Sequence, residues 1–406
     1  MGADPRVRPG SETGTTKHRV PSMKKPHSID FWLLISALIL AGLGIVMVYS
    51  SSMYIAMEKL GNGSYYFQKQ MVYLLISLAG MIGCTRLNYR GYARIAKGLL
   101  IAGYVLLCLL LVLKGAHFLR TRELDVYRWF RIGFVSFQPS ELMKLFLIIY
   151  LSAELSAMGE RIRDLRKGFV KIFGVVVLTF ALIFPEPSFS MAGLSLLVGF
   201  YILYVGRAKL THILMCFLPA LPAICFLALK KEYMLDRIVG FFNRGSSPWS
   251  QAAQSIIGIG SGGLFGVGLG HSTQKFNFLP ERHTDFIFSI LGEELGFVGT
   301  SLVLGLTLLF VMRGFKIARE APDMFGFLLA SGLSFAFGAQ VFVNIGVATG
   351  LLPTTGVTLP FISYGGSSLM LSFATTGILL NISKHSNMER TLSREFGNRI
   401  HRRFTS

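Results

Sequence analysis

Residues 31–50 read FWLLISALILAGLGIVMVYS, with no acid and no Lys, Arg or His among them. An α-helix rises about 1.5 Å per residue, so roughly 20 apolar residues match the roughly 30 Å of hydrocarbon in a bilayer. This run is long enough to span and stay in place, rather than to be removed as a signal peptide. Working outward, nine further apolar runs follow. They lie near Gln70 to Thr85, Gly98 to Leu113, Leu142 to Met158, Phe169 to Phe184, Met191 to Val205, Leu210 to Leu229, Phe286 to Met312, Phe325 to Ala348 and Ile362 to Ile382. The eighth of the ten exceeds one span and carries Glu293 and Glu294, so its first part is expected to be a re-entrant or surface helix. The expected fold is an all-α polytopic membrane protein of about ten transmembrane helices.

Composition agrees. Of 406 residues 52% are hydrophobic and only 15% charged, against about 25% charged in soluble domains, and the mean hydropathy is +0.55. The net charge of +19 suggests nucleic acid at first sight. The basic residues form no single patch, however, and sit in short loops between apolar runs, where a bilayer accounts for them and nucleic acid is not expected as a partner. With the N-terminus inside, cytoplasmic segments carry 26 Lys and Arg and the opposite side 13, which places both termini in the cytoplasm. The outer 13 concentrate in two long loops, 114–141 and 230–285, the second lying just before the eighth span. Long loops carry function, and this basic excess needs its own explanation. The first 30 residues, basic and rich in Pro, Gly, Ser and Thr, read as a disordered tail, and 385–406 as a second basic tail. The latter fits cytoplasmic division proteins or, by default, anionic membrane lipids. Cys84, Cys108, Cys216 and Cys225 all lie in apolar runs, so neither a disulfide framework nor a thiolate metal site is expected.

Four segments break the apolar pattern. Phe137-Gln138-Pro139-Ser140-Glu141-Leu142-Met143-Lys144 has the Pro and acid of a helix start, but Lys144 lies one turn into an apolar helix. An ammonium there costs a few kcal/mol or more, so Glu141 and Lys144 are either a structural i, i+3 ion pair or a substrate-binding site. The run Gly258 to Gly270 has GxGxxG-like spacings without the strand and βαβ unit that a nucleotide site requires; close backbone approach and flexible packing both explain it. In Leu279-Pro280-Glu281-Arg282-His283-Thr284-Asp285-Phe286, Asp285 ends a polar loop where an apolar helix begins. It is a helix cap, or a carboxylate beside apolar surface able to act as a general base. Leu352 to Ser368 (LPTTGVTLPFISYGGSS) has no titratable acid or base except Tyr364 and reads as irregular backbone lining a cavity.

These segments, in this order, resemble the SEDS family (shape, elongation, division and sporulation), which includes FtsW, RodA and SpoVE. The likeness runs from Phe31 to about Lys384, and its most specific strings are FQPSELMKL, IGSGGLFGVGLG, HTDFIF with EELG, and LPTTGVTLPFISYGGSS. The TLPFISYGGSS string is more similar to the division and sporulation branch than to the elongation branch. The resemblance implies a peptidoglycan glycosyltransferase in the bacterial cytoplasmic (inner) membrane. It would polymerise lipid II onto undecaprenyl-diphosphate-linked glycan without a nucleotide sugar, and a class B penicillin-binding protein would supply cross-linking. It places the family's essential acid on Asp285, which favours the base over the cap. Cations are then needed to stabilise the leaving diphosphate, and Arg128, Lys144, Arg237, Lys275 and Arg282 are candidates, with Glu141, Ser363 and Ser367 as further substrate-binding candidates. A divalent cation, Mg2+ or Mn2+, fits the same chemistry, although the sequence fixes no metal site. One departure stands out: where the family has an acid in a Pro-Asp element after the fifth span, this chain reads Pro185-Glu186-Pro187-Ser188-Phe189. Competing expectations are a lipid II flippase, to which broken helices and intramembrane charge also suit, and a scaffold for the penicillin-binding protein with no activity of its own.

Overall fold

A computed structural model describes residues 29–115, 129–132, 135–186, 189–230, 232–242, 250–274 and 282–404. The expected disordered tail lies almost wholly outside these residues. Twelve α-helices follow in order: α1 (Phe31–Leu60), α2 (Tyr65–Arg86), α3 (Arg90–Gly115), α4 (Pro139–Met158), α5 (Val170–Ile183), α6 (Phe189–Val205), α7 (Leu210–Leu229), α8 (Glu232–Phe242), α9 (Gln251–Ser261), α10 (Ile287–Arg319), α11 (Met324–Ala348) and α12 (Gly366–Phe404). Each expected apolar run falls on one of these helices. Seven of them, α1 to α4 and α10 to α12, contain stretches long and apolar enough to cross a membrane, while α6 and the first half of α7 are shorter apolar helices. Among the described residues the fold departs from all-α in one place. Strands β1 (Phe130–Ile132) and β2 (Val135–Phe137) pair antiparallel, Phe130 opposite Phe137, just before α4.

Helix ends differ from the hydropathy boundaries for local reasons. α1 runs ten residues past Ser50, because a Ser hydroxyl need not leave a helix: Ser52 Oγ donates to Val48 O at 2.6 Å, one turn back. It stops at Gly61, in the left-handed conformation, whose N–H bonds Met57 O at 3.0 Å. The last span begins at Gly366, not at Ile362, because residues 359–365 turn sharply around Phe361, which takes φ 65°. The Phe361 ring is buried among Phe310, Phe337 and Phe373, with centroids 5.2–5.7 Å away. A Cβ on Gly44 of α1 would collide with the Phe361 carbonyl, so that glycine is what lets the loop lie on the helix.

The overlong eighth run is two pieces. Gly296 (φ 65°, ψ −161°) breaks α10, and a Cβ there would strike the backbone of Gly266 and Leu264. Residues 287–294 are all buried, so the first piece is an internal half-helix; of the two alternatives, re-entrant or surface helix, the surface one does not fit, since its acids face protein and not water. α2 packs on α12, α10 on α11, α3 on α4 and α1 on α10. At the end where α1 begins, Asp30 caps α1 through Leu33 N (3.0 Å) and accepts two hydrogen bonds from Arg313 Nε near the end of α10 (3.0 and 3.1 Å). At the same end Asp323 caps α11 and binds Tyr89 and Arg90. Asp285, at the start of α10, therefore stands at the opposite end of the bundle.

Candidate active site

The turn 282–286 carries Asp285 into α10. The cap position falls on Phe286, whose ring accepts no hydrogen bond, so Asp285 stands one residue outside the helix. Its side chain is half-buried, while the backbone around it is held at three successive carbonyls. Tyr364 N donates to His283 O at 2.9 Å, Ser363 Oγ to Thr284 O at 2.6 Å, and Asn344 Nδ2 to Asp285 O at 2.9 Å. The rings of Tyr66, His283 and Tyr364 pack within 4.9–5.6 Å of one another beside the turn. Arg282 is buried; burial draws its guanidinium down from its usual pKa, while the nearby charge of Glu58 opposes that shift.

A second group lies among α4, α11 and α12. A cleft of about 440 Å³, counted out to its open mouth, is lined by Glu141, Lys144, Phe337, Gln340, Pro360 and Ser368 among others. Glu141 accepts a hydrogen bond from Ser367 Oγ, and Lys144 donates to Gln340 Oε1. Gln340 passes its own donor to Thr358 O (3.1 Å), and Thr358 Oγ1 bonds Ser368 Oγ (2.9 Å). The expected Glu141–Lys144 ion pair is not made: each acts on the other through its charge but takes its hydrogen bond elsewhere. The expected lining role of the Leu352 to Ser368 segment is met by Pro360 and Ser368. The same segment grips the Asp285 turn through Ser363 and Tyr364, so it joins the two groups. Arg237 on α8 also reaches it, donating to Thr354 O at 2.8 Å.

The glycine run and the EELG acids form one unit. Glu293 accepts from Thr273 N (2.8 Å), Thr273 Oγ1 (2.7 Å), Gln274 N (3.4 Å) and Ser272 Oγ. Glu294 accepts from Ser50 Oγ of α1 at 2.6 and 2.7 Å. Val267 N and Gly268 N bond the carbonyls of Glu293 and Glu294, and a Cβ on Gly262 or Gly266 would meet that backbone. Close backbone approach, not looseness, explains those glycines. Arg128, Lys275 and Ser188 lie outside the described residues; Glu186, the acid nearest to Ser188, is buried. Among the described residues no group of three or more His, Cys, Asp or Glu side chains is gathered that could hold a metal ion.

The family model described as a cell cycle protein, FtsW/RodA/SpoVE, matches residues 31–388. The chain belongs to the FtsW/RodA/SpoVE family. It is similar to the probable peptidoglycan glycosyltransferase FtsW of Geobacter sp. (strain M18), 37% identical over 370 residues, which cover 89% of this chain and 98% of that one. It is similar also to stage V sporulation protein E of Bacillus subtilis (strain 168), 38% identical over 365 residues, covering 89% and 99%. A chain in a structure of a peptidoglycan synthase complex that coordinates polymerisation and crosslinking superposes with a TM-score of 0.71 at 28% identity, covering 88% of this chain and 98% of its own. The crystal structure of Thermus thermophilus RodA superposes at 0.62, also 28% identical, covering 88% and 97%.

As an FtsW/RodA/SpoVE protein the chain is a multi-pass membrane protein. Sequence reasoning passed over two of the residues that organise its site. Gln340 and Asn344 are spaced i, i+4 on α11, so both amides share one face of an otherwise apolar helix. That spacing was a readable signal. Thr358 and Ser368 carried none, since nothing in an isolated hydroxyl tells which distant amide it will meet.

Proposed function

We propose that this chain is a peptidoglycan glycosyltransferase of the bacterial cytoplasmic membrane, polymerising lipid II into glycan strands on the outer face during cell division, with Asp285 as general base. The observation that carries this reading is the Asp285 turn: a half-exposed carboxylate on a backbone fixed at three carbonyls, in a chain 37% identical to proteins named for this reaction. A carboxylate held this way can take the proton of a sugar 4-hydroxyl as its oxygen attacks the anomeric carbon of the growing glycan. The glycosidic bond forms, the bond to undecaprenyl diphosphate breaks, and the electron pair leaves on the diphosphate oxygen. A diphosphate leaves well as an anion, so a paired general acid of the glycosidase kind is not needed. Cations stabilise that anion instead. Lys144 in the cleft and Arg237 on α8, which reaches the shared loop at Thr354 O, are described candidates, with Arg128 and Lys275 on the outer loops. Arg282, buried close to Glu58 in the turn that carries Asp285, is a further candidate. A divalent cation, Mg2+ or Mn2+, would accompany the substrate's diphosphate and help to neutralise its charge.

The reading includes ten spans, α1 to α7 and α10 to α12, with both termini cytoplasmic, as the Lys and Arg distribution favours. It includes as partner a class B penicillin-binding protein, for which the similarity to a chain of a synthase complex speaks. One observation favours a second reading. A polar cleft between spans, holding Glu141 and Lys144, is also what a lipid II flippase would use. Reconstitution of the full chain and its partner in liposomes with lipid II separates the two. Polymerisation lost in Asp285→Asn supports the base; normal polymerisation with failed translocation supports the transporter; partner binding as the sole Asp285-dependent property leaves a scaffold.

A further inference from the structure

We infer that Asn344 is a positioning residue, one that aims the Asp285 carboxylate by holding the backbone that carries it. Its Nδ2 donates to Asp285 O at 2.9 Å and to Val357 O at 2.7 Å, so a single amide ties the reactive turn to the loop over the cleft. Both contacts are to carbonyl oxygens, and a flipped amide would set its oxygen against two acceptors. The orientation is therefore fixed by chemistry. Asn344 is 1% exposed, and among the described residues its Oδ1 meets no hydrogen-bond donor, so the side chain's contribution lies wholly in the two carbonyls that its Nδ2 holds.

Ser363 completes the device. It donates to Thr284 O at 2.6 Å and accepts from Leu359 N at 2.8 Å, which makes its hydroxyl a rivet between the loop and the residue before Asp285. With Tyr364 N on His283 O, the turn is held at 283, 284 and 285 by three donors from outside it. Catalytic groups misplaced by about 1 Å lose on the order of 100-fold in rate, so the donor set bears on turnover, not on substrate affinity.

This inference rests on Asp285 acting as the base, and its test separates the two. The full-length protein with its partner is assayed on lipid II as wild type, Asn344→Leu, Ser363→Ala and Asp285→Asn, with folding followed by thermal unfolding and size-exclusion chromatography. Leu keeps the branched shape of Asn, with the same number of heavy atoms in a somewhat larger side chain, and removes both donors. The expected result is a kcat for N344L roughly 10- to 100-fold below wild type with KM for lipid II within about twofold, and a smaller fall of the same kind for S363A. If N344L is folded and keeps its kcat, or if its KM rises while kcat holds, Asn344 does not position the base and the inference is overturned. If N344L does not fold, S363A alone decides by the same two criteria. If D285N polymerises like wild type, the base reading has failed; if D285N is inactive while N344L and S363A turn over normally, only the positioning role has.

Discussion

Lys144 and Glu141 sit one helical turn apart inside the membrane, yet neither satisfies the other. Two charges removed from water recover their cost only with good geometry and further hydrogen bonds. Here Ser367, in the first turn of α12, donates to Glu141, while Lys144 donates to Gln340 of α11, which in turn donates to Thr358 O of the irregular loop. A pair so divided couples the movement of three elements, as a bidentate ion pair would not. Asp323 shows the opposite economy. Burial pulls its carboxyl up, but the hydrogen bonds from Gly326 N (2.7 Å), Tyr89 Oη (2.7 Å) and Arg90 Nε (2.7 Å) outweigh that and leave it below the usual carboxylate range. A lowered folded pKa contributes stability that is fully present above the unfolded carboxylate pKa, about 4, and is lost as pH falls below it through the folded value. Asp323→Asn is therefore expected to unfold at a lower temperature than wild type at pH 7, with the gap persisting to about pH 4 and closing only below it. A pH-independent gap would remove the charge from this account.

At the scale of elements, α10 explains why two acids survive inside an apolar run. Gly296 opens the helix, and the freed carbonyls of Glu293 and Glu294 take hydrogen bonds from Val267 N and Gly268 N. The two carboxylates then spend their acceptors on Ser272, Thr273, Gln274 and Ser50. Glu293 thus anchors the chain that leads to Lys275. Removing it as Glu293→Ala should speed amide hydrogen exchange at 273 and 274 by at least about tenfold while leaving α11 protected, since a net hydrogen bond to a charged group is worth about 1.5–3 kcal/mol. Unchanged exchange at those two amides would mean the acid does not hold the loop. Much of this was open to reading: the overlong run, the paired acids and the glycine string were each visible in the sequence as anomalies. Their common cause was not, because the bonds that join Ser50 to Glu294, Val267 to Glu293 and Gly268 to Glu294 depend on which segments meet, and periodicity says nothing about that.

Across the whole molecule, the ends of the bundle differ in kind. One end is closed by acid–base clasps, Asp30 with Arg313 and Asp323 with Arg90. The other carries the Asp285 turn, the irregular loop and the hairpin. The ten apolar runs and the lining role of residues 352–368 were legible because each rests on local composition, whereas local composition alone read Asp285 as a cap and only the family resemblance singled it out as a base. The hairpin at 130–137 was hidden by its brevity, and Gln340 and Asn344 by their setting in a span that reads as plain membrane helix. Orientation is checked with impermeant thiol reagents. Asn62→Cys, exposed after α1, should label in intact cells, and Glu160→Cys, exposed after α4, only in permeabilised ones. The reverse pattern would put Asp285 in the cytoplasm and end the proposal.

The most direct measurement is the initial rate of glycan synthesis by Asp285→Asn against wild type, in the same liposomes, with the same partner and equal lipid II bound. Loss of a general base predicts a fall of about 10²- to 10⁴-fold with binding intact. A rate within a few-fold of wild type would contradict it.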